Sequence, residues 1–371
     1  MKSKRFEKYF VEVIKNHRTG FFATVVKFFL RIFSWCFQSV VVMRNWAFDR
    51  GWLRRFYPPV PLVISVGNIV AGGTGKTPVT LMLAKEFSPL MNLAILSRGY
   101  RSNSERSSAP IWLSKGDGPM HPASFCGDEP FLLANNLPKS FVIVGKDRHK
   151  ASIMAAKAGA KMIIMDDGMQ HRHLARDFEI VVMNARDLFG QGYFLPRGFL
   201  RERRSSLGRA DLIVLNHAEN MEIFDQCRAQ IVQYSKAPIV GMQMQVVGVF
   251  DFKGEKVESL QGKRVGIFCS IAYPEYFENT VKNEGAEIIS KHILADHQHF
   301  DLHALDIFAH NCLKQGVEIL LCTEKDKVKF TDSFQLCLPA AWLQIELKIQ
   351  KGEEEWQSFI ASAKDRVEKC V

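Results

Sequence analysis

The sequence predicts an α/β protein with a doubly wound, mostly parallel sheet domain, a second and smaller α/β domain, and an amphipathic N-terminal helix. Three observations carry this. Continuous apolar runs alternate with helix-like stretches. The first run leads through a glycine-rich turn into a helical pattern. The segment ahead of that run is basic, aromatic and apolar at once.

The runs PLVISVG (61–67), LAILS (93–97), FVIVG (141–145), KMIIMD (161–166), EIVVMN and DLIVLN have the length and Val/Ile/Leu content of strands buried on both faces. The stretches 76–87, 127–137 and 147–159 between them suit crossover helices. From about residue 236 the pattern restarts, with strands expected at 239–250, 264–270, 286–290, 318–322 and 341–347 and helices at 274–284 and 301–315. An amphipathic stretch at 353–369 suits a closing helix. The expected organisation is therefore 1–57 as a basic amphipathic segment, 58–235 as the nucleotide-binding α/β domain, and 236–371 as the smaller α/β domain. The length of 371 residues suits two domains, and the 47% hydrophobic content is ample for their cores.

The net charge of +10 is unevenly placed. Residues 1–60 hold twelve Lys/Arg against Glu7, Glu12 and Asp49, which leaves the remaining chain near neutral. A near-neutral body argues against a nucleic-acid track. Basic, aromatic and apolar character together point to an anionic membrane surface. The eight cysteines form no CxxC pair or zinc-spaced cluster, as expected of free thiols in a reducing compartment.

Within 21–48 the longest uncharged stretch, Ile32 to Met43, is shorter than the ~20 residues that span a bilayer. No small-residue cleavage site follows, which argues against a secretory signal. At about 100° per residue, Lys27, Arg31, Ser34, Gln38 and Asn45 fall on one narrow stripe, with aromatic and aliphatic residues elsewhere around the helix. The expectation is a helix lying in the membrane interface with its basic residues near lipid phosphates. The alternative is a helix packed on the protein's own core.

The segment VISVGNIVAGGTGKTPVTLMLA (63–84) carries the sharpest chemical signal. Ala71, Gly72, Gly73, Thr74, Gly75, Lys76 and Thr77 form a P-loop, in which glycines let backbone N–H groups approach a phosphate chain. Lys76 would reach the β- and γ-phosphates and the Thr77 hydroxyl would bind Mg²⁺. Pro78 suits the first helical turn. The strict GxxxxGK[ST] pattern has glycine where this chain has Val70. A second apolar run ends in Asp166-Asp167, and acidic residues at such a strand end meet the Mg²⁺ beside a P-loop. Mg·ATP is the implied cofactor pair.

Beyond these motifs, LSRGYRS (96–102), GDEP (127–130), VGKDRHKA (144–151), DDGMQHRHLARD (166–177), PRGFLRE (196–202), ADH (295–297) and TEKDKVKF (323–330) follow in order. With them the chain resembles the tetraacyldisaccharide 4′-kinases of lipid A biosynthesis over nearly its whole length. The family usually has Thr where Val70 stands, so the missing glycine does not count against the loop. The resemblance implies transfer of the ATP γ-phosphoryl group to the 4′-hydroxyl of an acylated glucosamine disaccharide 1-phosphate. It also implies residence on the cytoplasmic face of the bacterial inner membrane. Carried over by motif, Asp128 is the catalytic base and His297 its partner, the two meeting across an interdomain cleft. Glu129, Asp166 and Asp167 are metal candidates. Arg98, Arg148, Arg172 and Arg197 are candidates for substrate or nucleotide phosphates, each with a plain ion pair as the alternative. For Asp128 the alternative is helix capping ahead of Pro130. TEKD implies no definite role. Two other classes compete with the kinase: a membrane-tethered P-loop NTPase acting as a conformational switch, and a nucleic-acid-binding ATPase.

Overall fold

The computed structural model describes residues 9–100, 102–107, 109–218, 220–296, 298, 300–330 and 334–369. The chain forms two compact units, each assembled from separated stretches. The first comprises Met1–Thr80, Ser152–Gln243 and Ile349–Val371, and the second Leu81–Ala151 and Met244–Lys348.

In the first unit, β1 (Leu62–Gly67) pairs in parallel with β5 (Met162–Asp166) on one side and β6 (Phe178–Asn184) on the other. The parallel array continues through β7 (Leu212–Asn216) to the start of β8 (Ile239–Asp251). Strands β1, β5 and β7 are buried at every position, which is why their sequences read as unbroken apolar runs rather than as alternations. The last helix of the chain, Glu353–Glu368, packs here. Trp356 is fully buried, Phe359 meets Phe178 edge-on, and Arg366 pairs with Asp177 at 3.0 Å. The other Asp177 oxygen accepts from the Val63 amide at 2.8 Å, so this helix is tied to the edge of β1.

The second unit contains β2 (Leu93–Ser97) parallel to β4 (Phe141–Val144), with β3 (Ile111–Lys115) antiparallel beside β4. Strand β3 has no counterpart in the sequence-based expectation, because IWLSK is only half buried and too short to show its alternation. Also in this unit, β9 (Arg264–Cys269) lies parallel to β10 (Glu287–Ile293) and β11 (Ile319–Thr323), and β11 to β12 (Ala340–Lys351). The helices Pro274–Asn283 and Leu302–Lys314 cover this layer. The described cysteines are all free thiols. Those at 126 and 269 are pushed up to about 12 by burial, which makes them inert at neutral pH.

Helix α1 (Phe21–Asp49) belongs to the first unit and packs with an unusual polarity. Its buried positions are Ala23, Ser34, Val41 and Phe48. Of the polar stripe, Lys27, Arg31, Ser34 and Asn45 are met by the protein. The Ser34 hydroxyl donates to the Phe194 carbonyl at 2.9 Å, and the Asn45 amide donates to Glu202 at 2.6 Å. Arg172 donates to the Asn45 carbonyl at 3.0 Å and to Asp49 at 2.5 Å. Lys27 reaches the Arg18 carbonyl, and Arg31 lies over Tyr193. The outward arc is the apolar one: Phe21, Phe22, Phe29, Phe33, Val40 and Met43 are each more than half exposed. Among the described residues this is the one helix long and apolar enough to cross a membrane, with a best window of mean hydropathy 1.6 and only 11% of that window buried.

Glu202 anchors this arrangement. Its side chain is fully buried; burial pushes its pKa up, but Arg209 at 2.9 Å and its hydrogen bonds outweigh that and hold it below the usual value. A depressed folded-state pKa contributes stability that is present above the unfolded value of 4.5 and lost as pH falls through the folded value. Thermal melts over roughly pH 3 to 7 should therefore show Tm falling below about pH 4.5. Glu202→Gln should lower the neutral-pH Tm and flatten that acid limb, and an unchanged limb counts against the ion pair.

Candidate active site

The site residues fall into two constellations, one in each unit. In the first, β1 runs into the loop 68–75, and a helix, α2 (Lys76–Phe87), starts at the P-loop lysine. The loop is pinned from below. The Ala71 amide donates to the Phe199 carbonyl at 2.7 Å. The Asn68 side chain donates to the Thr74 hydroxyl and the Asn216 side chain to the Thr74 carbonyl, both at 2.9 Å. Gly72 (φ 116°) and Gly75 (φ 85°) occupy the left-handed region that side chains avoid, and Gly72 and Gly73 present exposed backbone. Lys76 and Thr77 open a twelve-residue helix, whose N-terminal dipole favours an anion.

Strand β5 ends beside this loop. Asp166 is buried, with the Thr80 hydroxyl at 3.5 Å from its Oδ1. Asp167, at φ 51°, receives Lys76 at 3.5 Å and Arg201 at 2.9 Å to both carboxylate oxygens. The approach of β1 to the DDG segment is close: a Cβ on Gly67 would lie 2.4 Å from Met169 Cβ, and one on Gly168 2.5 Å from Ser65 Oγ. Thr77, Asp166 and Asp167 would offer one hydroxyl and two carboxylates, an all-oxygen donor set. That suits a hard Mg²⁺ ion, which takes few protein ligands and completes its shell with phosphate and water. Among the described residues no cluster of three or more His, Cys, Asp or Glu offers a denser metal cage.

In the second unit, Gly127 (φ 96°) is the N-cap of a helix, α3 (Asp128–Asn136), and no side chain caps it. Asp128 is thus the first helical residue rather than the cap, and its carboxylate is only 6% exposed. Its Oδ2 lies 3.5 Å from Lys329 Nζ. Next to it, Glu129 lies 3.5 Å from Lys325, which also contacts Asp296 at 3.2 Å. One lysine therefore brings GDEP and ADH together within a single unit. Burial pulls the Lys325 pKa down, but Glu129, Asp296 and Asp128 outweigh it and raise it, so the ammonium stays charged. His297 lies outside the described residues.

The four predicted arginines are dispersed. Arg98 is exposed and pairs with Glu105 at 3.0 Å. Arg148 is buried at the start of the helix Arg148–Lys157. Arg172 holds α1 through Asp49 and the Asn45 carbonyl, and burial lowers its pKa. Arg197 donates to the Ile14 carbonyl at 3.3 Å and to Asn16 at 3.2 Å, with Tyr193 beneath it. The residues that sequence reasoning missed are Asn68, Asn216, Lys325 and Lys329, together with the role of Arg201, which reads in sequence only as part of a basic run. For the lysines a signal was present: Lys325 and Lys329 stand four apart in TEKDKVK, one helical turn.

Comparison with known proteins now decides the family. The family model described as Tetraacyldisaccharide-1-P 4′-kinase matches residues 26–364. This chain belongs to that 4′-kinase family. A tetraacyldisaccharide 4′-kinase of Chlamydia pneumoniae is 34% identical over 335 residues, covering 87% of this chain and 89% of the relative. One from Halothermothrix orenii is 31% identical over 344 residues, covering 88% and 89%. A crystal structure described as the "apo" form of LpxK from Aquifex aeolicus in complex with ATP superposes with a TM-score of 0.73 at 28% identity. It covers 91% of this chain and 99% of that one. The 4′-kinase family membership agrees with the P-loop α/β fold reached from the residues.

The close approach of β1 to the DDG turn makes a structural prediction for this family member. Gly67→Ala and Gly168→Ala should each cost ~1–3 kcal/mol by overpacking. The measurement is the denaturant midpoint in detergent, and a midpoint equal to wild type would contradict the approach distances.

Proposed function

We propose that this chain transfers the γ-phosphoryl group of ATP to the 4′-hydroxyl of a tetraacyl glucosamine disaccharide 1-phosphate, the lipid A precursor. Two observations support the reading, each within its own unit: a P-loop lysine beside a DDG aspartate in the first, and a buried, lysine-held carboxylate in the second. The names of the relatives supply the substrate.

The residues divide the work. The backbone of Gly72 to Thr77 and the Lys76 ammonium hold the phosphate chain. Thr77, Asp166 and Asp167 would hold Mg²⁺, which neutralises phosphate charge when bound. Arg201 keeps the Asp167 carboxylate oriented. Asp128 accepts the proton of the 4′-hydroxyl while the hydroxyl oxygen bonds to the γ-phosphorus. The bond from that phosphorus to the bridging oxygen breaks, and ADP leaves with the electron pair.

The reading extends to the membrane through α1. An apolar arc on a helix roughly 43 Å long, with its polar side hydrogen-bonded to the body, suits a helix lying in the bilayer surface. A span would have to give up the Ser34, Asn45 and Asp49 contacts to enter hydrocarbon. Exposed Arg50, Arg54 and Arg55 follow the helix and would meet anionic headgroups on the cytoplasmic leaflet.

Two measurements test the proposal. With labelled ATP, Mg²⁺ and the disaccharide 1-phosphate in detergent micelles, thin-layer chromatography should show a phosphorylated lipid. Asp128→Asn and Lys76→Ala should each reduce turnover by about 10²-fold or more. Acceptor-independent ATP hydrolysis without phosphorylated lipid would instead indicate the NTPase switch. In flotation with anionic vesicles, the pair Phe33→Asp and Val40→Asp should abolish most binding while leaving Tm near wild type; undiminished flotation rejects the surface role of α1.

A further inference from the structure

The TEKD motif has no assigned task, and the structure gives it one. Strands β9 and β11 are parallel neighbours, and their C-terminal ends are Cys269 and Thr323. Asp326 lies just past both and is fully buried. It accepts from the Ser270 amide at 3.2 Å, the Ser270 hydroxyl at 2.7 Å and the Thr323 hydroxyl at 2.7 Å. Thr323 in turn caps the short helix Glu324–Lys327 by accepting from the Asp326 amide at 3.1 Å. The carboxylate is thus fixed to two adjacent strand ends by three protein donors.

Lys329 is the fourth group on Asp326, at 3.0 Å. Its side chain is 3% exposed. The ammonium also contacts the Ser270 hydroxyl and lies 3.4 Å from the Gln298 carbonyl, with the Phe300 ring 5.7 Å away. These contacts leave the nitrogen one fixed position, 3.5 Å from Asp128 Oδ2. A lysine stem has many rotamers to lose, so a buried ammonium placed by four contacts is already ordered. A surface lysine would be a mobile counter-ion; this one is a rigid stop against a single oxygen.

We propose that Lys329 is a positioning residue for the Asp128 carboxylate, delivered by the Asp326 clamp on the ends of β9 and β11. The inference rests on Asp128 being the base. Proton transfer from a hydroxyl needs the accepting oxygen within hydrogen-bond reach and in line, and a loss of a fraction of an ångström in placement lowers the rate without changing substrate affinity. TEKDKVK therefore serves the reaction without touching either substrate. Thr323 and Asp326 build the clamp, Lys329 orients Asp128, and Lys325 one turn earlier holds Glu129 and Asp296 in the same way.

The test uses the full-length protein in detergent micelles, with kcat and both KM values measured for four variants. Lys329→Met should lower kcat by about 10²-fold with both KM values within about threefold of wild type. Lys329→Arg, which keeps a charge at the site, should recover about tenfold or more of that loss. Adding Lys329→Met to Asp128→Asn should cost nothing further, because the two act as one unit. Lys329→Met strands a buried Asp326 charge and can fail to fold. The neutral pair Lys329→Met with Asp326→Asn removes both charges together and should fold yet keep the low kcat. A folded Lys329→Met or neutral pair with near-wild-type kcat overturns the proposal, as does a loss confined to KM. An active Asp128→Asn instead overturns the base assignment, independently of Lys329.

Discussion

The contact on which the nucleotide half of this protein depends is the grip of Lys76 and Arg201 on Asp167. Lys76 opens the helix after the glycine loop, Asp167 closes strand β5, and Arg201 comes from the PRGFLRE segment, so three distant stretches share one carboxylate. Arg201 is fixed to the loop by its backbone too, since its amide donates to the Ile69 carbonyl at 2.8 Å. An aspartate at positive φ between two cations has little freedom to swing. That rigidity matters because phosphoryl transfer is mostly a matter of placing charge before the reaction begins. The Val70 departure from the strict P-loop pattern is explained by the same framework. Val70 bridges Leu200 and is only 8% exposed, and both residues belong to one buried apolar cluster.

The second unit repeats the device in another form. Each carboxylate of GDEP faces a lysine, Asp128 with Lys329 and Glu129 with Lys325, and those lysines are themselves ordered by acids. In both units a working group is held by opposite charge rather than by packing alone, through the partly exposed Lys76 and Arg201 in the first and the buried Lys329 in the second. Such pairs contribute little net stability, since desolvation offsets most of their attraction, but removing one member is costly. Their value lies in fixing geometry.

How much of this was legible in the sequence follows from how local each feature is. The buried strands and the GKT helix start are written in contiguous residues, so they read directly. The partners of Asp167 and Asp128 are set by chain reversals that no spacing rule encodes. Lys329 lies about two hundred residues along the chain from Asp128, the carboxylate it meets. TEKD stood out as a motif, yet without Ser270 beside it nothing indicated that Asp326 was a clamp. Strand β3 was too short and too partly buried to show a period. Arg172 and Arg197 carried the right chemistry for phosphate, but their guanidinium groups fasten α1 and the residues before it.

Helix α1 shows where a pattern was read correctly and its meaning lay elsewhere. The stripe of Lys27, Arg31, Ser34, Gln38 and Asn45 was visible from periodicity, and a stripe ordinarily marks the solvent side of a helix. Here Ser34 and Asn45 on that stripe are met by the Phe194 carbonyl and by Glu202, and the wide apolar arc faces outward. In water this polarity would be unfavourable, because it leaves several phenylalanines exposed while desolvating polar groups. In a bilayer surface the ranking reverses: the arc gains hydrocarbon contact, and the polar groups keep protein partners that lipid could not supply. The Asn45–Glu202–Arg209 chain has a second consequence. Glu202 follows Arg201 directly, so the residue that anchors the helix and the residue that orients Asp167 are neighbours on one segment. Helix α1 and the phosphate site of the first unit are thereby fixed to the same short piece of backbone.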